Sequence, residues 1–274
     1  MKKLLPLLLI PFLVFSSCKK DSKKQGCTDP MSLAYNSEAE SDDGSCTYPL
    51  STKKALVFKA TGTWCPPCGS WGEQYVNDIN TQFSSSAEVI AIHSSDAFSV
   101  DVGNNFLSIL SPSGVPSFFI GLQEYSGGYT GITSLITDEL TEANQVSLAN
   151  IFSIENNIMN IKVQSQLEES FTGENCYLAV YIIEDGQVAP QEVGNPGSGV
   201  TDPNFVHNHI LRTEATGSTF GQPITFENGK NLTELNATLA PTSLWNYENL
   251  YVVAVIWQQN GSDYRFVNLE TTKI

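Results

Sequence analysis

Two cysteines two residues apart, Cys65 and Cys68 in the stretch TGTWCPPCGSW from Thr61 to Trp71, are the residues of this chain best suited to chemistry. Such a pair can form a disulfide and exchange it, because a thiolate attacks a disulfide sulfur through a mixed-disulfide intermediate. It can also supply half of a metal site, or act as a static staple. A zinc site would need a second Cys/His pair at suitable spacing, and His93, His207 and His209 are scattered. The intervening residues are Pro66 and Pro67. Prolines suit the first positions of a helix, where their missing N–H would be unpaired anyway. A helix N-terminus lowers the pKa of a nearby thiol, although two prolines also remove amides that would solvate the Cys65 sulfur.

Whether a disulfide persists depends on the compartment. The chain opens MKKLLPLLLIPFLVFSSC, with two lysines, an apolar core from Leu4 to Phe15, two small serines and Cys18. Residues 1–17 read as a signal peptide. The end of that segment, Phe15-Ser16-Ser17-Cys18, resembles the lipobox of bacterial lipoproteins. The resemblance implies cleavage before Cys18, a diacylglycerol on its sulfur and acylation of its new amino group; an ordinary cleaved signal is the alternative. Export means an oxidising environment, and the lipid makes the membrane a partner. Of six cysteines, Cys27/Cys46 and Cys65/Cys68 then form two natural disulfide pairs. Cys176, in ENCYLAVYIIED, is left as a small buried hydrophobe in a strand. The formal net charge of −15 argues against a nucleic-acid partner, since phosphate binding needs a Lys/Arg-rich face.

The elements that must position the pair follow from the chain's patterning. Residues 18–50 read as a lipid-anchored tether, KKDSKKQ, and a small Cys27–Cys46 module too poor in apolar residues to build a core. Asp29, Asn36, Asp42 and Asp43 could offer calcium its hard oxygen ligands, but their spacing is not that of an EF-hand. The favoured reading is a disulfide-closed spacer with solvated acids. In residues 51–146 the order is strand (KALVFKATG), helix (PPCGSWGEQYVNDINTQF), strand (AEVIAIHSS), helix (NNFLSIL), two strands (VPSFFIG and YSGGYTG) and helix (ITSLITDELTEANQ). Residues 147–274 hold about eight strand-like runs between Gly, Asn and Pro clusters, which predicts an all-β antiparallel sandwich domain. His207 and His209 lie two apart in one of these runs and would share a face; such a pair could bind metal, but the favoured reading is that it fixes a contact between the two units by hydrogen bonds.

TWCPPC after a strand, followed some fifty residues later by GVPSFFIG, resembles the thioredoxin superfamily. The resemblance implies an α/β thioredoxin-like domain with a cis proline opposite the cysteines, which Pro116 after Val115 matches. By the same analogy Cys65 is the exposed attacking thiol, Cys68 the buried resolving one, and Trp64 shields the disulfide, while the Val115 backbone pairs with a substrate strand. TGTWCPPC, AIHSSDAF and VHNHILR further resemble the Bacteroidetes lipoprotein family of the twenty-eight-kilodalton outer membrane protein. This implies a cell-envelope location, outer membrane before inner, facing the periplasm or the surface. One departure stands out: the superfamily's buried acid is missing from LVFKATG, where Lys59 occupies the expected region. The expected activity is thiol-disulfide exchange with exported protein thiols and disulfides or a membrane redox partner, with no cofactor beyond the redox-active disulfide. The competing expectation is a non-catalytic binding or adhesion lipoprotein in which the pair is structural.

Overall fold

The computed structural model describes residues 23–125, 128–169 and 171–273, so the signal peptide and Cys18 lie outside the described residues. The first half runs β1 (Ala55–Thr61), α1 (Trp71–Gln82), β2 (Ala87–His93), α2 (Asp101–Leu110), β3 (Ser117–Ile120), β4 (Gln123–Tyr125) and α3 (Tyr129–Thr141). The second half is β5 (Val146–Glu155), β6 (Ile158–Leu167), β7 (Cys176–Glu184), β8 (Gln187–Val193), β9 (Val200–His207), β10 (Ile210–Glu214), β11 (Gln222–Pro223), β12 (Lys230–Thr238), β13 (Leu250–Asn260) and β14 (Asp263–Lys273).

Strand β1 is buried along its whole length, because its alternating side chains find cover on both faces. Leu56, Phe58 and Ala60 pack with Val102 and Phe106 of α2. Ala55 and Val57 point the other way, to Val76 and Ile79 of α1 and Ile132 and Ile136 of α3. Burying side chains of this size contributes roughly 1.5–3 kcal/mol each. Strands β1 and β2 are parallel, joined through α1, while β3 runs antiparallel to β1.

The expected α/β order is present, and the strand-rich half, expected as a sandwich packed against it, joins its sheet. One sheet spans both halves in the order β14-β13-β7-β10-β2-β1-β3-β4, with β11 added on β7. The join is the parallel pair Ile210↔Ala91 between β10 and β2, where the Ala91 N–H donates to the His209 carbonyl at 2.7 Å. A three-stranded sheet, β12-β6-β5, covers one face of β7 and β13, through Leu148, Met159 and Ile161 against Val180, Ile182 and Val252. On the opposite face Tyr181, Val253 and Trp257 share a core with Phe106 of α2. No local pattern announces a pairing of one register position between residues over a hundred positions apart.

Other boundaries differ for local reasons. Helix α1 starts at Trp71, so Pro66 to Ser70 form turns rather than a first helical turn. The stretch YSGGYTG, expected as a strand, contributes Tyr125 to β4 and opens α3 at Tyr129. Strands β8 and β9, which hold Pro190 and Pro203, form a separate two-stranded ribbon that strand patterning passes over. Proline is tolerated in such an edge ribbon, and Pro190 falls at the irregularity between Ala189 and Gln191. The Cys27–Cys46 disulfide closes the small N-terminal module, and Leu50 bridges to Leu148 where the module meets β5. A loop of that length is worth about 3 kcal/mol in unfolded-state entropy. Among the described residues no helix is long and apolar enough to cross a membrane.

Candidate functional site

Cys65 and Cys68 are joined as a disulfide in the turns between β1 and α1. The Cys68 N–H lies 3.0 Å from the Cys65 carbonyl and 3.2 Å from Cys65 Sγ, so the loop supplies one amide to that sulfur despite its prolines. The Val115 carbonyl oxygen stands 3.5 Å from Cys65 Sγ, and the Val115–Pro116 peptide bond is cis. Gly72 permits this approach: a Cβ there would meet Pro116 Cγ at 2.9 Å. Trp71, Ser113, Gly114, Val115, Pro116 and Tyr125 line a groove of about 340 Å³ along the Val115–Pro116 step. Trp64 is 47 % exposed and packs over Gly62, its indole N–H donating to the Ser94 carbonyl at 2.8 Å.

The expectation of an exposed Cys65 is corrected: Cys65 is 3 % exposed and Cys68 1 %. The β8–β9 ribbon packs on the loop that carries them. Gln191, only 2 % exposed, directs its side-chain amide at the Gly62 and Cys65 carbonyls, at 3.3 and 3.0 Å. The Glu192 N–H donates to the Thr63 carbonyl at 2.8 Å, and the Gly194 N–H to Ser70 Oγ at 2.6 Å. Gly69 leaves the space for this contact, since a Cβ there would stand 2.5 Å from Gln191 Cγ.

Behind Cys68 lies a polar compartment that includes a cavity of about 10 Å³, room for roughly one water. Cys68 shares its wall with Lys59, Glu73, His93 and His207. Lys59, buried on β1, has its ammonium 2.7 Å from Glu73 Oε2 on α1, so a carboxylate does reach this region, from the helix instead of the strand. His93 Nδ1 is 2.8 Å from Asp96 Oδ2. Burial holds His93 below its ordinary pKa against the pull of Asp96. Burial, then the neighbouring His93, push His207 down to about 4. Both imidazoles are therefore neutral at pH 7. The Asp96 carboxyl is low: burial alone would raise it, but His93 and the Thr63 and Phe98 amides outweigh that.

His207 and His209 do not share a face, contrary to expectation. His207 ends β9 with its ring 5.7 Å from that of His93. His209 sits outside the strands at φ +60°, with Nδ1 3.0 Å from the Tyr251 hydroxyl and Nε2 2.9 Å from Asn80 Nδ2. The four calcium candidates are not gathered either. Asp29, Asn36, Asp42 and Asp43 each accept a backbone N–H two residues on, from Met31, Glu38, Gly44 and Ser45. Among the described residues no group of three His, Cys, Asp or Glu side chains is placed to hold a metal.

The structure thus brings together Cys65, Cys68, Val115 and Pro116, with Pro66 and Pro67 in the turn between the cysteines. Sequence reasoning missed Glu73 and Gln191. The first could have been found as the acid one turn into the helix after the pair; nothing local marks the second.

A search of the solved structures finds HBP35 of Porphyromonas gingivalis, at a TM-score of 0.69 and 12% identity, over 83% of this chain and 77% of that one. It also finds a domain of the outer membrane lipoprotein Omp28 from the same organism, at a TM-score of 0.34 and 15% identity, over 47% of this chain and 88% of that one. The first likeness shows a shared fold. No curated protein matches the chain. The family model described as outer membrane protein Omp28 matches residues 112–274, more than half of the sequence and the whole strand-rich half that carries the ribbon. The chain belongs to the Omp28 outer membrane protein family.

Proposed function

We propose that this protein is a lipid-anchored lipoprotein of the cell envelope whose Cys65–Cys68 pair exchanges disulfides with other exported proteins. In this reading residues 51–146 are a thioredoxin-like unit and residues 147–274 a sandwich that shares its sheet. Cys18 carries the lipid, and the family's name favours the outer membrane. The observation that carries the reading is the Val115 carbonyl 3.5 Å from Cys65 Sγ, at the edge of the groove where an extended peptide would lie.

In the reducing direction the Cys65 thiolate attacks one sulfur of a partner disulfide, forming a mixed disulfide and releasing the partner's other sulfur as thiolate. Cys68 gives up its proton into the polar compartment behind it, which Glu73, His93 and His207 line. Its thiolate then attacks Cys65 Sγ and displaces the partner's sulfur, closing the Cys65–Cys68 bond and releasing the second partner thiolate. Two electrons pass from the pair to the partner, and the same steps reversed oxidise a partner dithiol.

A second reading is favoured by the burial of both sulfurs: a binding or adhesion protein in which the disulfide only holds the loop. Replacing Cys68→Ala while keeping Cys65 separates the two. Exchange predicts mixed disulfides with envelope proteins, released by reductant and absent from the C65A/C68A chain. No adducts above that control would leave the binding protein.

A further inference from the structure

We infer that Gln191, carried on the β8–β9 ribbon, is a positioning residue that holds the Cys65–Cys68 loop in its oxidised geometry. This rests on the exchange reading in one respect, that the loop is taken to cycle between disulfide and dithiol.

The side-chain amide nitrogen of Gln191 faces three carbonyl oxygens, those of Gly62 at 3.3 Å, Cys65 at 3.0 Å and Glu192 at 2.8 Å. Carbonyls only accept, so the position calls for a donor, and the two amide hydrogens are shared among the three. The group is buried, where leaving those oxygens unpaired is costly. The flanking bonds from Glu192 to Thr63 and from Gly194 to Ser70 place ribbon contacts on both sides of the disulfide. The lack of a Cβ at Gly69 is what lets the ribbon lie this close.

Reduction replaces a covalent S–S bond by two thiols at van der Waals separation, so the loop between Gly62 and Ser70 must widen. Hydrogen bonds made to the loop in its closed form oppose that widening and favour the disulfide. By linkage the coupling is reciprocal: reducing the pair loosens the hold of the ribbon. The appended half of the chain thereby sets the redox poise of a pair it does not contain.

The test compares the mature full chain with Q191A and Q191E, equilibrated in dithiothreitol redox buffers, with the dithiol fraction read by alkylation and mass. Glutamate keeps the shape of glutamine but removes both donors. Both variants should shift the equilibrium toward the dithiol by about tenfold, which is about 30 mV for a two-electron couple. Parental behaviour of both variants, or of Q191E alone, would overturn the inference, the latter assigning the position to space filling. A second readout needs no variant: reduction of the parent should speed hydrogen exchange at the Glu192 and Gly194 amides, and unchanged exchange would equally refute it. Neither measurement uses a partner protein, so it stands apart from the mixed-disulfide capture that tests the proposed function.

Discussion

Replacing His207→Gln removes a buried titrating group while keeping a side-chain N–H for the Ala189 carbonyl, 3.3 Å from His207 Nε2 in the parent. Burial, reinforced by His93, keeps His207 neutral down to a pKa of about 4. In the unfolded chain an ordinary histidine takes up its proton near 6.5. Between these values the unfolded chain binds a proton that the folded one refuses. The stabilising contribution is therefore complete above pH 6.5 and is lost as pH falls toward 4. At about 1.4 kcal/mol per pKa unit, the whole window amounts to about 3 kcal/mol. Other groups titrate across it: His93 and His209, both lowered by burial, act in the same sense. Glu88 opposes them, because burial raises it to about 6 and its contribution, present below 4.5, is lost as pH rises through 6. Only the difference between parent and variant isolates His207. Thermal unfolding of the oxidised chains at pH 7.5 and pH 4 should show a drop in Tm smaller in H207Q by roughly 6–12 °C, taking 2–4 °C per kcal/mol. Equal drops in both chains would refute the placement of His207 as a buried neutral group in this compartment.

Two further outcomes follow from packing. Gly221→Ala puts a Cβ 1.9 Å from the Leu178 carbonyl oxygen at a backbone φ of +85°, combining overlap with a left-handed conformation. Its cost should be about 3 kcal/mol or more, read from the midpoint of denaturant unfolding, and a shift under about 1 kcal/mol would contradict the tight seat of this turn on β7. Cys176 is buried on β7, and burial raises its thiol to about 11. At pH 8 about one chain in a thousand then carries the thiolate, so iodoacetamide should leave Cys176 unmodified in the folded chain and label it on unfolding. Labelling of the native protein at the rate of a free thiol would show that the strand opens.

Much of the chemistry is local and was legible from residue types: a Cys-Pro-Pro-Cys turn after a buried strand, a Val115-Pro116 step downstream, and a second cysteine pair closing a polar module. Strands such as β7 and β13 were equally legible, because long apolar runs have one economical fate in a folded chain. What surrounds the cysteines was not. The ribbon that presses Gln191 onto their loop contains Pro190 and Pro203 and turns through Gly194, Gly197 and Gly199, a composition that locally reads as turn. It is held in place by hydrogen bonds to residues more than a hundred positions away. The carboxylate near Lys59 arrives from Glu73 on a helix, and the single parallel register between β10 and β2 fuses two halves that composition divides. Periodicity and motif spacing report what a segment does with its own neighbours. Which distant backbone packs on a loop depends on long-range pairing, and only the tertiary structure decided that Cys65 is buried and that its loop is held by the chain's own second half.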